Sequence, residues 1–224
     1  KALIGLFQSM GYEYAYGPDI ERNYQEPYYL NQVWASLPIV NPSKHQNAIA
    51  EAIKKLTNID SGDLAQKNGI FMDYLQNGIP VAYHDGKEIR HDIVYLIDYE
   101  NIYRNTFQII NQWTYVEKSE KRADLIVFVN GLPLVLIELK SPSREETDAS
   151  AAYRQIKNYM FEIPSMFTYN AFCVMSDMMC SKAGTITSSE DRFMEWKTKD
   201  GSYESTQYAD YDTFFEGIFP KDRI

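Results

Sequence analysis

The sequence has little of what most metal, redox and hydrolytic sites are built from. It holds two cysteines and three histidines in 224 residues. His45, His84 and His91 are scattered, without metal-ligand spacing. Cys173 and Cys180 lack a paired histidine cluster and so form no zinc motif, and a disulfide framework would use more cysteines. That usage fits a reducing cytoplasm, the expected location. No apolar run approaches the ~20 residues of a membrane-spanning helix, so no membrane partner is expected, and no signal peptide is expected either. A G-x-S-x-G nucleophile elbow is absent, which excludes that route to serine chemistry. A G-x-x-x-x-G-K-[ST] phosphate loop is absent too, which excludes nucleotide binding of that kind by these residues. Positive charge is also short. The net charge of −9 argues against a protein that coats nucleic acid over its whole surface. Acids and bases balance between Glu117 and Lys157, so the rest of the chain carries the excess, and any nucleic-acid contact would be local.

What is present is core-forming material, 45% hydrophobic with 14% aromatic residues, enough for one sizeable domain. The chain is read as a single domain over 1–224, with a core at about 79–177. A helical part, 1–78, precedes the core and an extension, 178–224, follows it. It opens at Lys1 in a helical pattern (Leu3, Ile4, Leu6, Phe7, Met10) that Gly11 would stop, as the tail of a longer helix in a fragment of a longer protein. Residues 12–41 have no clean period and read as loop with short strand or helix pieces. Ser43-x-x-Gln46 predicts a capping box and a helix over 44–56, and a second helix should cover 64–76. Strands are expected at 79–83 and 89–97 around Asp85-Gly86, and at 106–116. A second capping box, Ser143-x-x-Glu146, opens a helix over 147–161. A strand at 168–176, a short strand at 185–188 and a short helix at 210–217 complete the pattern. Helix, strands, hairpin, helix, strand is an α/β or α+β order, a mixed sheet flanked by helices.

The centre of that pattern is ADLIVFVNGLPLVLIELK, Ala123 to Lys140. Two Val/Ile/Leu-rich runs flank Asn130-Gly131, the strongest short-range hairpin signal, and their composition predicts burial on both faces. Asp124, Glu138 and Lys140 nevertheless stand at the outer ends of these runs. Charge in such a strand costs several kcal/mol unless it has a partner or a metal. Side chains alternate along a strand, so Glu138 and Lys140 share a face. A strict two-residue turn would pair 129 with 132 and hence 124 with 137, which separates Asp124 from Glu138. A three-residue loop or one bulge would pair 124 with 138 and bring the two carboxylates together. Pro133 cannot donate to a ladder, which favours an irregularity near the turn. Two carboxylates and a carbonyl oxygen suit Mg²⁺ or Mn²⁺, and a lysine beside them can orient water and stabilise phosphorane charge. Against this stands the plainer reading, an edge-strand Glu-x-Lys ion pair in a metal-free structural domain.

The following helix carries Gln155 and Tyr159 four apart on one face, able to bind a carboxylate, a water or a phosphate. Arg144, Arg154 and Lys157 are candidates for holding DNA backbone phosphates.

Asp124, Glu138-Leu139-Lys140 and Gln155-x-x-x-Tyr159 resemble the PD-(D/E)xK nuclease pattern in its branch with a QxxxY motif. The longer wording is similar to the N-terminal nuclease region of the R (restriction) subunit of type I restriction–modification enzymes. It includes Gly11-Tyr12, Gly17-Pro18-Asp19, Asn105 to Gln112, Arg122-Ala123-Asp124, Asn130 to Pro142, Pro164 to Phe167, Ser176-Asp177 and Gly184-Thr185. The resemblance covers most of the chain. It implies a restriction-endonuclease-like core that cleaves double-stranded DNA with Mg²⁺ (or Mn²⁺). Asp124, Glu138 and the Leu139 carbonyl would be metal ligands, Lys140 the catalytic lysine, and Gln155 and Tyr159 supporting residues. It implies methyltransferase and specificity subunits as partners, and ATP only through translocase domains downstream of these residues. Ala123 stands where the family often has Pro. The acidic residue that the family's first helix often supplies is absent from Lys1 to Met10 and is expected upstream. The isolated fragment is therefore expected to cut weakly or not at all. The competing reading is a nuclease-fold DNA-binding or scaffold module that does not cut.

Overall fold

A computed structural model describes residues 2–140, 149–177, 180–202 and 211–224. Helix α1 (Ala2–Ser9) buries Leu3 and Phe7. Strand β1 (Glu13–Tyr16) follows, then a 3-10 turn at Gly17–Asp19. Next come three helices, α2 (Leu30–Val40), α3 (Gln46–Thr57) and α4 (Leu64–Asn77). Strands β2 (Ile79–His84) and β3 (Ile89–Val94) form a hairpin. The long strands β4 (Phe107–Val116), β5 (Glu120–Val129) and β6 (Leu132–Leu139) lead to α5 (Ala149–Glu162) and the short α6 (Pro164–Thr168). Strands β7 (Phe172–Ser176) and β8 (Ser181–Gly184) and helix α7 (Tyr211–Ile218) complete the chain.

Six strands make one mixed sheet in the order β1-β4-β5-β6-β7-β8. Its outer pairings β1–β4 and β6–β7 are parallel, with antiparallel β4–β5, β5–β6 and β7–β8 between and beyond them. A parallel neighbour cannot be reached by a tight turn, and α5 with α6 supplies the crossover from β6 to β7. The fold is the α/β arrangement expected, a mixed sheet flanked by helices like that of PD-(D/E)xK nucleases. Leu125, Val127, Val129, Val135 and Ile137 pack on one side with α1, α2, α3, α4 and α7. Ile126, Phe128 and Leu136 pack on the other side with Ala152, Ile156 and Tyr159 of α5. Helices on both faces explain why the central strands read as near-continuous apolar runs.

Several local expectations change. Residues 12–41 hold β1 and the eleven-residue α2. Pro38 inside α2 and the aromatic crowding obscured the helical period, and β1 is mostly exposed, so neither carries a strong pattern. The α3 cap is His45, whose Nδ1 accepts from the Asn47 N–H at 3.1 Å, in place of a Ser43 box. The capping box that does form is at α4. There Asp63 accepts from the Gln66 N–H, and the Gln66 side chain returns to the Asp63 N–H, each at 2.9 Å. The strand expected at 185–188 is instead β8, at Ser181–Gly184. Strand β7 is shorter than 168–176 because α6 takes Thr168 and the turn after it takes 169–171. The Ser143 capping box lies outside the described residues. The main sheet draws β1 and β8 from beyond 79–177, whereas β2 and β3, inside that range, form a separate two-stranded sheet.

The Asn130-Gly131 turn keeps its two-residue form. Both residues have positive φ, 52° and 84°, and Val129 pairs with Leu132. The Asn130 side chain is buried and donates to the Leu96 and Asn105 oxygens while accepting from the Thr106 N–H, each at 2.8 Å. The Gly131 carbonyl accepts from the Tyr29 N–H at 2.8 Å, which ties the turn to the start of α2. The irregularity comes two residues later. Phe128 pairs with Pro133 but Val127 with Val135, so Leu134 is an extra residue on β6. Its carbonyl accepts from the Ala171 N–H at 2.7 Å, at the entry to β7. Of the two routes to a one-residue offset, the chain takes the bulge.

Candidate active site

The bulge at Leu134 decides what meets at the other end of the hairpin. With Leu125 opposite Ile137, the next pair is Asp124 with Glu138. No backbone pairing continues there. The Asp124 carboxylate takes its place, Oδ2 accepting from the Leu139 N–H at 3.0 Å. Lys140 is anchored from β7, its N–H donating to the Ser176 carbonyl at 2.8 Å. Its Nζ then reaches Glu138 Oε1 at 2.9 Å. Asp124, Glu138 and Lys140 thus occupy one end of the β5–β6 hairpin, as the one-residue offset requires.

Glu138 is 3% exposed, in the middle of the sheet between β5 and β7. Its Oε2 is buried and has no hydrogen-bond partner among the described residues. Burial, and then the negative charge of Asp124, push its carboxyl up to about 7, although Lys140 pulls the other way. An isolated Glu-x-Lys ion pair on a solvated edge would show none of this. A buried carboxylate oxygen without a hydrogen bond, close enough to a second carboxylate and to the Tyr159 hydroxyl to feel both, is instead an acceptor open to a cation. Among the described residues no three His, Cys, Asp or Glu side chains cluster. A cation held here would therefore take further oxygens from a backbone carbonyl, such as that of Leu139, or from water. An all-oxygen set of that kind suits a hard divalent ion.

On α5, Tyr159 is buried beneath the pair, and its hydroxyl donates to the Arg122 carbonyl at 3.2 Å. Burial, and then the Glu138 charge, raise its pKa, so it stays a neutral phenol. Gln155, one turn earlier on the same face, is a neighbour of that hydroxyl. Arg154 is exposed on α5. Lys157 lies over the Tyr153 ring, 5.4 Å from its centre, and donates to the Ile186 carbonyl at 3.2 Å. Arg144 lies outside the described residues.

A cleft of about 390 Å³ opens over the site. It is walled by the first turn of α1, by Gln112, Asp124, Leu139 and Lys140, and by Tyr211 of α7. Gln112 ends the Asn105–Gln112 stretch of the resemblance, which assigns it no role, and the local signal for it is the polar pair Asn111-Gln112, which breaks the apolar run of β4.

The chain matches the profile of the family described as "Type I restriction enzyme R protein N terminus" over residues 1–192. It is 33% identical, over 89% of its length, to the "Type I restriction enzyme HindI endonuclease subunit" of Haemophilus influenzae, covering 20% of that protein. It is 29% identical, over all of its length, to the "Putative type I restriction enzyme MjaIXP endonuclease subunit" of Methanocaldococcus jannaschii, covering 24% of that protein. It is 28% identical, over 77% of its length, to the "Type I restriction enzyme EcoprrI endonuclease subunit" of Escherichia coli, covering 61% of that protein. The chain thus spans about a fifth to a quarter of the first two curated relatives.

Proposed function

The chain belongs to the family of type I restriction enzyme R protein N termini. On that premise we propose that it is the endonuclease domain of such a subunit and cuts double-stranded DNA with Mg²⁺. The observation that carries this reading is that the Leu134 bulge sets Asp124 at the level of Glu138, one step beyond the Leu125–Ile137 pair, with the buried Glu138 Oε2 making no hydrogen bond among the described residues. Those two carboxylates, with the Leu139 carbonyl, would hold Mg²⁺ or Mn²⁺. Such an ion supplies counter-charge to a phosphate and lowers the pKa of bound water.

The side chains of the chain itself divide the remaining work. Glu138 serves only after it loses its proton, and the Lys140 ammonium at 2.9 Å favours that ionised form. Lys140 also brings a positive charge to the mouth of the cleft, where it can neutralise charge on a reacting phosphate or orient a water. Tyr159 backs Glu138 from below as a neutral hydroxyl and excludes bulk water from that side. Gln155 supports Tyr159, and Arg144, Arg154 and Lys157 are assigned to backbone phosphates along α5 and the residues before it. In a complex with methyltransferase and specificity subunits, the specificity subunit would choose the DNA, and ATP would act through other domains of the longer protein.

The test is plasmid cleavage by the full-length protein in its assembled complex, together with Mn²⁺ calorimetry. Wild type should linearise DNA with Mg²⁺ and stop in chelator. Lys140→Ala should abolish cutting and still bind Mn²⁺. Cleavage untouched by Lys140→Ala would mean a DNA-binding or scaffold module. Absence of Mn²⁺ binding, or binding indifferent to Asp124→Ala, would leave only an ion pair.

A further inference from the structure

We infer that Gln112 is a substrate-contacting residue of this site, its carboxamide donating to a phosphate oxygen of the DNA strand laid in the cleft. The inference rests on the nuclease reading above and adds a residue to it.

Gln112 has φ of 57°, and among the described residues the other non-glycine with positive φ is Asn130, at a turn that demands it. Gln112 has no turn to explain it, because it sits inside β4. Asn111 pairs with Leu125 and Trp113 with Ala123, so Gln112 stands across from Asp124, and that rung is missing. The left-handed residue inverts the faces of both strands at this level. Ile110 and Trp113, three apart, pack on the same α5 side, and so do Ala123 and Ile126. A regular strand would send them to opposite faces.

The twist buries Trp113 fully. Glycine would make that twist without strain and asparagine with less, so the twist does not explain a glutamine. Backbone strain of this kind persists where the surroundings hold it, and it gathers at functional sites. The holding contact is Gly17, where a Cβ would lie 2.6 Å from the Gln112 carbonyl oxygen. Freed from the core face, the Gln112 side chain lines the cleft with Asp124 and Lys140. Its neighbour Asn111, which also borders the cleft, is held by its Oδ1, which accepts from the Tyr14 hydroxyl at 2.9 Å. The Gln112 carboxamide has no hydrogen-bond partner among the described residues. Two N–H donors without charge suit a phosphate oxygen beside a carboxylate pair, because they add attraction without competing for a cation. The Lys140 ammonium already spends one donor on Glu138.

The experiment uses the full-length protein in its assembled complex, with Gln112→Gly, Gln112→Glu and Asp124→Ala. Melting temperature, Mn²⁺ binding, plasmid cleavage and its dependence on DNA concentration are measured. Gln112→Gly keeps the left-handed backbone and removes the amide. It should melt at or above wild type, bind Mn²⁺ normally, and cut about tenfold more slowly or need about tenfold more DNA. Gln112→Glu has the same shape but repels phosphate, and should lose more. It also serves where Gln112→Gly is poorly folded. Wild-type cleavage by either variant, with Asp124→Ala inactive, overturns the role of Gln112 and leaves the nuclease reading standing. Wild-type cleavage by Asp124→Ala overturns both.

Discussion

Leu139 donates its backbone N–H to the carboxylate of Asp124, Oδ2 at 3.0 Å, where the ladder between β5 and β6 would otherwise have its next rung. A catalytic candidate is thereby also a piece of the sheet. The bond holds one oxygen of Asp124 in place and fixes the backbone between Glu138 and Lys140.

The two roles of Asp124 separate by substitution. Asp124→Asn keeps an oxygen acceptor for Leu139 and removes the charge. It should unfold at nearly the wild-type temperature yet lose Mn²⁺ binding and cleavage. Asp124→Ala leaves the Leu139 N–H without its partner and should cost a further ~1–3 kcal/mol. Thermal melts with calorimetry check both, and equal stability of the two variants would mean that the hydrogen bond contributes nothing.

Glu138 gives a pH dependence with a definite sign. Its carboxyl is raised from 4.5 to about 7 in the folded chain, so between those values the folded state holds a proton that the unfolded state has released. Its contribution is therefore most favourable below about pH 4.5 and is lost as pH rises through 7. Glu138→Gln, which cannot ionise, should stabilise the metal-free chain at pH 8 by at most about 3 kcal/mol, with the gain fading toward pH 5. Denaturant melts at both pH values measure it. A gain that grows on acidification would show that Glu138 is not held above its ordinary range.

The turn should be intolerant of change. Asn130→Ala removes three hydrogen bonds of 2.8 Å, one fully and two partly buried, along with a residue suited to φ of 52°, for an expected loss of roughly 3 kcal/mol. Gly131→Ala adds a Cβ that would meet the Tyr29 carbonyl oxygen at 2.6 Å and the Val33 nitrogen at 2.7 Å. Both are backbone atoms of the chain entering α2, so relief requires the helix to move. A loss of at least ~2 kcal/mol is expected, measured by denaturant titration. A neutral Gly131→Ala would mean that α2 is not held against the hairpin.

Much of this was legible from the residues in order. Asn-Gly between apolar runs dictates a two-residue hairpin because of its own φ preferences, and the turn forms so. The Val-, Ile- and Leu-rich runs within β5 and β6 imply helices on both sheet faces, and helices are there. Asp124, Glu138 and Lys140 stand out because charge in such strands needs a reason. Each of these follows from local conformational energy or from composition, which the linear chain carries in full.

What the linear chain does not carry is alignment between segments. Whether Asp124 meets Ile137 or Glu138 turns on one extra residue at Leu134, and that bulge is shaped by Pro133, which cannot pair normally, and by Ala171, far along the chain. Strand β1 exists only because β4 offers it an edge, so its own four residues give no signal. The left-handed turn of Gln112 depends on Gly17 pressing against it and on Trp113 seeking the core. Register, edges and strain are properties of pairs of distant segments. The sequence determined which chemical groups this protein has at the ends of its central strands, and the tertiary structure alone decided that they face one another.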